Sequence, residues 1–290
     1  MAPKEQSLKL RDEKEGKIES EPFKNIEEYK DSVEQLVKDI PQEERETWDI
    51  KEIAEDAKNN KEKLEVLDHN TARLFNYFGV KEQHRLRVAN LKNTIHKRTE
   101  ADFEQPLNWE GQNFSDVDFE NLEIKNKANL RHIKIQGEKS NLQHTIFDNV
   151  DLSHATFYRI KKAAYIKFIN LQLTQPQGGN IKVEECTMRG AVFSGKFDGL
   201  HIESSRLPYA EINANTKGLK ITGRTEMPSS RMEGSFNKPE IDYDNVDLSG
   251  STHNVEIIET SLAVKEKESA KLDAACKLRI LDTDSSHRTI

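Results

Sequence analysis

Between residues 140 and 159 large apolar side chains return at every fifth position: Leu142, Phe147, Leu152 and Phe157. Two positions before each stands a smaller or shorter residue, Ser140, Thr145, Val150 and Ala155. A step of five turns an α-helix through roughly 500°, so these residues would spiral around it and form no stripe. In a straight strand an odd step sends successive members to opposite faces, so Leu142 and Phe147 could not share a core. Both conflicts vanish if the backbone stays extended for a few residues and turns a corner once per unit. The paired positions two apart then always face inward, and each unit is one side of a coil.

The rhythm extends, with slips, over roughly half the chain. Upstream, Phe114, Phe119 and Ile124 keep step; after one extra residue Leu130 and Ile135 follow, with Ala128 and Ile133 before them. Downstream, Val183, Met188 and Phe193 resume it behind Ile181, Cys186 and Ala191, and a shortened unit around Phe197 leads to Ile202, Leu207 and Ile212. A last copy, Val246-Asp247-Leu248-Ser249-Gly250, repeats the wording of 150–153. These units resemble the pentapeptide-repeat family, whose loose consensus is a small residue, Asp or Asn, Leu or Phe, then two variable residues. Asp118, Asp151 and Asp247 carry the consensus acid, while many small positions hold Ile, Leu or Val, a departure that suggests a degenerate, locally widened coil. The resemblance implies a right-handed quadrilateral β-helix over about 106–260; with an N-terminal helical bundle and a C-terminal helix, each read below from its own residues, the expected fold class is α+β.

Composition agrees with a thin solenoid. Hydrophobic residues make up 34% and charged residues 33% of the 290, with a mean hydropathy of −0.82, because each unit buries only two side chains in five. The net charge of −7 sets up no dominating field. Two cysteines, Cys186 and Cys276, stand far apart, so no disulfide framework is expected and a reducing compartment is the simple reading. Neither a secretory leader nor a run of about 18 apolar residues occurs; the expected location is cytoplasmic, or a host cell reached through a specialised secretion system.

Residues 1–20 read as a solvated polar tail. Phe23, Ile26, Tyr29, Val33, Leu36, Val37 and Ile40 then recur at helical spacing until Pro41. Asp49 with Glu52 resembles a capping box opening a second stripe, Ile50, Ile53, Ala54 and Ala57. Asn59-Asn60 breaks it before Leu64, Leu67, Leu74, Phe75 and Phe78, with Gly79 placed to cap. His84, Val88, Leu91 and Ile95 give a third inner face on a basic helix. Residues 21–105 are therefore expected to form a helical domain that covers the uncovered first coil, with its acidic front half pairing with the basic stretch Arg73 to Arg98.

Two stretches interrupt the five-residue rhythm and read as projecting loops: 174–180, with Pro176, Gly178 and Gly179, and 224–240, with Pro228, Gly234 and Pro239. In the second, Met227, Met232 and Phe236 look exposed and are candidate partner contacts, as are the basic residues Arg159, Lys161 and Lys162. Residues 261–281 read as a helix from their Ala, Lys, Glu and Leu content, and 282–290 as a tail. Some family members dimerise at this end, so the resemblance implies a homodimer through the C-terminal helix as one arrangement.

No phosphate loop, metal-ligand spacing or catalytic constellation is present in the sequence. The spacings of His132, His144 and His154 place them on outward positions or on opposite sides of a coil of about 20 residues, and Cys186 occupies a small inward position where a thiol is inert. The expectation is a non-catalytic protein-binding scaffold without cofactor or metal, of the kind a bacterium could deliver as an effector onto a host protein. A second reading, a duplex-DNA mimic acting on a type II topoisomerase, requires a strongly negative rod, whereas charges between 107 and 223 nearly cancel. A third is nucleic-acid binding through the basic stretches, against an overall pI of 5.8.

Overall fold

The computed structural model describes residues 23–60, 62–100, 105–171, 180–197, 199–216 and 218–237, and the short strands at 240–241, 246–247, 252–258, 277–281 and 288–289. The expected N-terminal tail, all of the expected C-terminal tail except the strand at 288–289, the stretch 172–179 that holds most of the first expected loop, and Leu248 and Cys276 lie outside these residues.

Among the described residues five α-helices come first: α1 (Ile26–Lys38), α2 (Gln42–Arg45), α3 (Trp48–Asn59), α4 (Leu64–Phe78) and α5 (Arg85–Glu100). Asn25 caps α1, its side-chain oxygen accepting from the N–H groups of Glu27 and Glu28. The expected capping box is not formed. Helix α3 begins at Trp48 behind Thr47, which makes no side-chain cap bond, and Glu52 instead accepts a 2.5 Å hydrogen bond from Arg73 of α4. Gly79 ends α4 as expected, for a further reason: a Cβ there would stand 2.6 Å from the Asp116 carbonyl oxygen of the first coil.

The coil is built from parallel strands in one two-stranded sheet, Thr225–Glu226 with Val246–Asp247, and in two large sheets. One stacks Asn113–Ser115, Lys134–Gln136, Thr156–Tyr158, Asn180–Glu184, Gly199–Glu203, Leu219–Thr222 and Glu240–Ile241. The other stacks Glu123–Ile124, Ile146–Asp148, Lys167–Ile169, Val192–Phe197, Glu211–Thr216, Arg231–Asn237, Thr252–Ile258 and Lys277–Leu281, with Arg288–Thr289 antiparallel at its end. Isolated bridges form two further columns, Asn108–Asn129–Asp151 and Asp118–Asn141–Lys162, the latter side continued by Thr187–Arg206–Glu226.

Left-handed residues mark the corners, and they also fall in columns. Gly111, His132 and His154 form the first; Asp116, Gly137, Arg159, Glu185, Ser204 and Gly223 the second; Asn121, His144, Tyr165, Gly190, Tyr209 and Ser229 the third; Asn126, Asn149, Asn170, Gly195 and Gly234 the fourth. The consensus acid now has a physical role. Asp118 Oδ1 accepts from the Glu120 N–H at 3.1 Å and Asp151 Oδ1 from the Ser153 N–H at 3.0 Å, satisfying backbone donors as the chain approaches a corner. Early pairings advance by 21 or 22 residues, Asn113 to Lys134 to Thr156. Later ones advance by 19, Lys182 to His201 to Lys220, as the second-sheet strands lengthen.

Every described repeat position is buried: Phe114, Phe119, Ile124, Leu130, Ile135, Leu142, Phe147, Leu152, Phe157, Val183, Met188, Phe193, Ile202, Leu207 and Ile212. Phe147, Phe168 and Phe193 stack in register at 5.4 and 4.9 Å. The helices join the same core, for Phe75 of α4 meets Trp109 at 5.7 Å and Phe119 at 5.1 Å, both edge-on.

Two expectations are corrected. The stretch 224–240 is not a projecting loop through 237: Thr225–Glu226 and Arg231–Asn237 are strands of a regular coil. Its Pro and Gly content serves corners, with Pro228 preceding corner residue Ser229 and Gly234 at φ 125°. The stretch expected to end the C-terminal helix is also different: Lys277–Leu281 is a strand in parallel register with Thr252–Ile258, Leu278 opposite Val255 and Ile280 opposite Ile257. Residues 261–276 lie outside the described residues.

Candidate functional site

The helical cap meets the coil over a buried polar hub. Asp68 of α4 receives hydrogen bonds from Arg98 Nη2 of α5 (3.1 Å), the Tyr29 hydroxyl of α1 (3.3 Å) and the Asn108 N–H at the start of the coil (3.0 Å). Arg98 also donates to the Pro106 carbonyl at 3.1 Å. Burial pushes the Asp68 carboxyl up to about 6, with the Arg98 charge and the Asn108 N–H pulling the other way. No ligand can reach these atoms, so the hub fixes the cap.

A cleft of about 280 Å³ opens between the turn from α4 to α5 and the third side of the coil, which runs from the second corner to the third. Gly79, Val80, Lys81, Glu82 and Arg85 form one wall, and Asp118, Glu120, Lys139, Asn141 and Lys162 the other. Its acids are engaged within the chain. Asp118 pairs with Lys92 at 3.0 Å, Glu120 accepts from the Asn141 side chain at 3.1 Å, and Glu82 lies 3.4 Å from Arg85. Lys139 and Lys162 are exposed and form no ion pair among the described residues. The third side continues with exposed Arg189 and Arg206, the latter 3.1 Å from Glu226.

The edge of this side is an aromatic ladder at the third corner. His144 stacks on Tyr165 at 5.2 Å, Gly190 backs the same tyrosine from the next coil, and the Arg189 guanidinium lies over Tyr209 at 5.3 Å. Tyr165 is 48% and Tyr209 56% exposed, so the edge faces solvent although ring faces are engaged.

The basic residues expected as contacts are on the surface but not equivalent. Lys162 lines the cleft. Lys161 reaches the Glu185 carbonyl at 3.3 Å. Arg159, at the second corner, is held by Glu185 at 2.7 Å and lies 5.0 Å from the Tyr158 ring centre. The expectation that Met227 and Met232 are partner contacts is corrected, for both are buried at 0% and 2% exposure. Five apart, they fill the inward positions that Leu207 and Ile212 fill one coil earlier, Ile212 pairing with Met232. Phe236 lies on the same strand opposite Ile257.

Sequence reading missed Lys139, Arg189, Tyr165 and Tyr209. The signal was a one-coil separation: His144, Tyr165, Gly190 and Tyr209 are 21, 25 and 19 apart. It also missed that His132 and His154, 22 apart, stack at 4.9 Å on the first corner. Cys186 packs inward, donating to the Phe157 and Glu184 carbonyls at 3.4 and 3.2 Å, and burial pushes its thiol up to about 11.

Among the described residues no group of three or more His, Cys, Asp or Glu could hold a metal ion, and no helix is long and apolar enough to cross a membrane. Compared with known proteins, the chain matches no family model and no curated sequence.

Proposed function

We propose that this chain is a degenerate pentapeptide-repeat solenoid, a right-handed quadrilateral β-helix with a helical cap, serving as a non-catalytic scaffold for a protein partner. Delivery into a host cell by a bacterium is the setting this reading favours. The observation that carries it is the division of labour within each unit: inward positions are buried and mostly apolar, while the outward positions of one side change from Asp118 to Asn141, Lys162, Thr187 and Arg206 as the coil continues. A surface written independently of the core can be fitted to a partner. Its basic middle is opposite in sign to what a phosphate-mimicking rod requires.

The test is affinity capture with the full chain from bacterial and eukaryotic lysates after nuclease treatment. The reading predicts one protein retained reproducibly and in near-stoichiometric amount. Retention that disappears with nuclease treatment contradicts it in favour of nucleic-acid binding.

A further inference from the structure

The third side of the coil carries cations that the chain does not neutralise. Lys139, Lys162 and Arg189 are exposed and without an ion pair among the described residues; of the nearby acids, Asp118 is paired with Lys92, while Glu120 accepts from the neutral Asn141 amide and keeps its charge. At one end the helical cap adds Lys81, which lies over the Tyr77 ring, and Arg85, which is paired with Glu82, across the cleft; at the other, Arg206 is closed by Glu226. Successive coils stack at about 4.8 Å, so the band from Lys139 to Arg206 spans roughly 14 Å, the reach of four or five residues of extended chain at about 3.3 Å each.

We propose that this band and its cleft bind an extended acidic segment of a partner protein. The inference rests on the scaffold reading above and names the chemistry the partner presents. Carboxylates on alternate residues of an extended segment face one way, about 6.6 Å apart, and meet exposed ammonium and guanidinium groups in a recess walled by the cap. Single-stranded nucleic acid uses the same charges but needs open aromatic faces for its bases. Here Tyr165 is stacked by His144 and backed by Gly190, and Arg189 lies over Tyr209. What the ladder offers is ring edges and hydroxyls, which suit carboxylates.

The test is fluorescence anisotropy with the full chain and two probes of equal length, a labelled Asp/Glu-rich peptide of 12 residues and a 12-nucleotide single-stranded RNA, at one salt concentration. The peptide is expected to bind, and the double variant K139E/K162E to weaken it by about tenfold or more with an unchanged melting temperature. K167E, which reverses a charge on the second sheet, serves as the control and is expected to stay within about twofold of the parent. Absence of peptide binding, tighter binding of the RNA, or an equal loss in K167E overturns the proposal. If a protein captured from lysate is retained equally by the parent and K139E/K162E, this assignment fails while the scaffold reading stands; if no protein is captured at all, the scaffold reading fails with it.

Discussion

Arg98 Nη2 lies 3.1 Å from Asp68 Oδ2 with both side chains enclosed, and the same two residues hold the Pro106 carbonyl and the Asn108 N–H. The pair therefore joins α4 and α5 to the start of the first coil. Removing one partner strands the other charge. Asp68→Ala is expected to cost about 3–5 kcal/mol, whereas replacing both by apolar residues of similar volume is expected to cost much less. Denaturant unfolding of the two variants checks this; equal losses would contradict it.

The same carboxyl sets a pH dependence. Its folded value of about 6 lies above the ordinary unfolded value near 3.9, so the folded chain holds the proton more tightly than the unfolded one. Stability contributed by this group is present below pH about 4 and is lost as pH rises towards 6, with a slope approaching 1.4 kcal/mol per pH unit. Asp68→Asn is expected to flatten that segment of the stability curve. An unchanged slope would show that another group sets it.

Corner glycines should differ according to what stands behind them. Gly234 has φ 125°, and a Cβ there would meet the Ala214 carbonyl oxygen of the coil above at 2.0 Å. Gly111, at φ 70°, has nothing within 4 Å, and its left-handed conformation is one that Asn adopts. Gly234→Ala is expected to destabilise by well over about 1 kcal/mol, and Gly111→Asn by only a few tenths. Chemical denaturation distinguishes them, and a tolerated Gly234→Ala would contradict the register of this coil.

In a Cys276→Ser background the remaining thiol, Cys186, is expected to resist an exposed-thiol reagent until the coil unfolds, because it is buried and its ionisation is pushed up to about 11. Labelling at the rate of a free thiol under native conditions would contradict its inward position.

The core was legible where the period was unbroken. Leu142 to Phe157 announce themselves because a five-residue step fits only a cornered backbone, and the helical stripes Tyr29–Val33–Leu36 and Leu67–Leu74–Phe78 because their spacing fits one face. What failed was inference from composition. Pro228, Gly234 and a helix-rich vocabulary after 260 suggested loop and helix, yet proline and glycine are also corner residues, and propensity is a weak prior against sheet pairing. Leu278 and Ile280 already showed the alternation of the strand they form. The cleft was illegible for another reason: Lys81, Arg85, Lys139 and Lys162 come together only when α4 docks on the first coil, and no local pattern encodes that docking.

The whole account rests on which side chains point inward, and one paired substitution tests it most directly. Leu152 is fully buried, while His154, two residues on, is exposed at a corner with φ 61°. Leu152→Asp places an unpaired charge in the core and is expected to abolish the cooperative unfolding transition of the coil, whereas His154→Asp, a residue tolerated in the left-handed region, should shift stability by less than about 1 kcal/mol. Circular dichroism melts of the two variants that are indistinguishable would contradict the five-residue register.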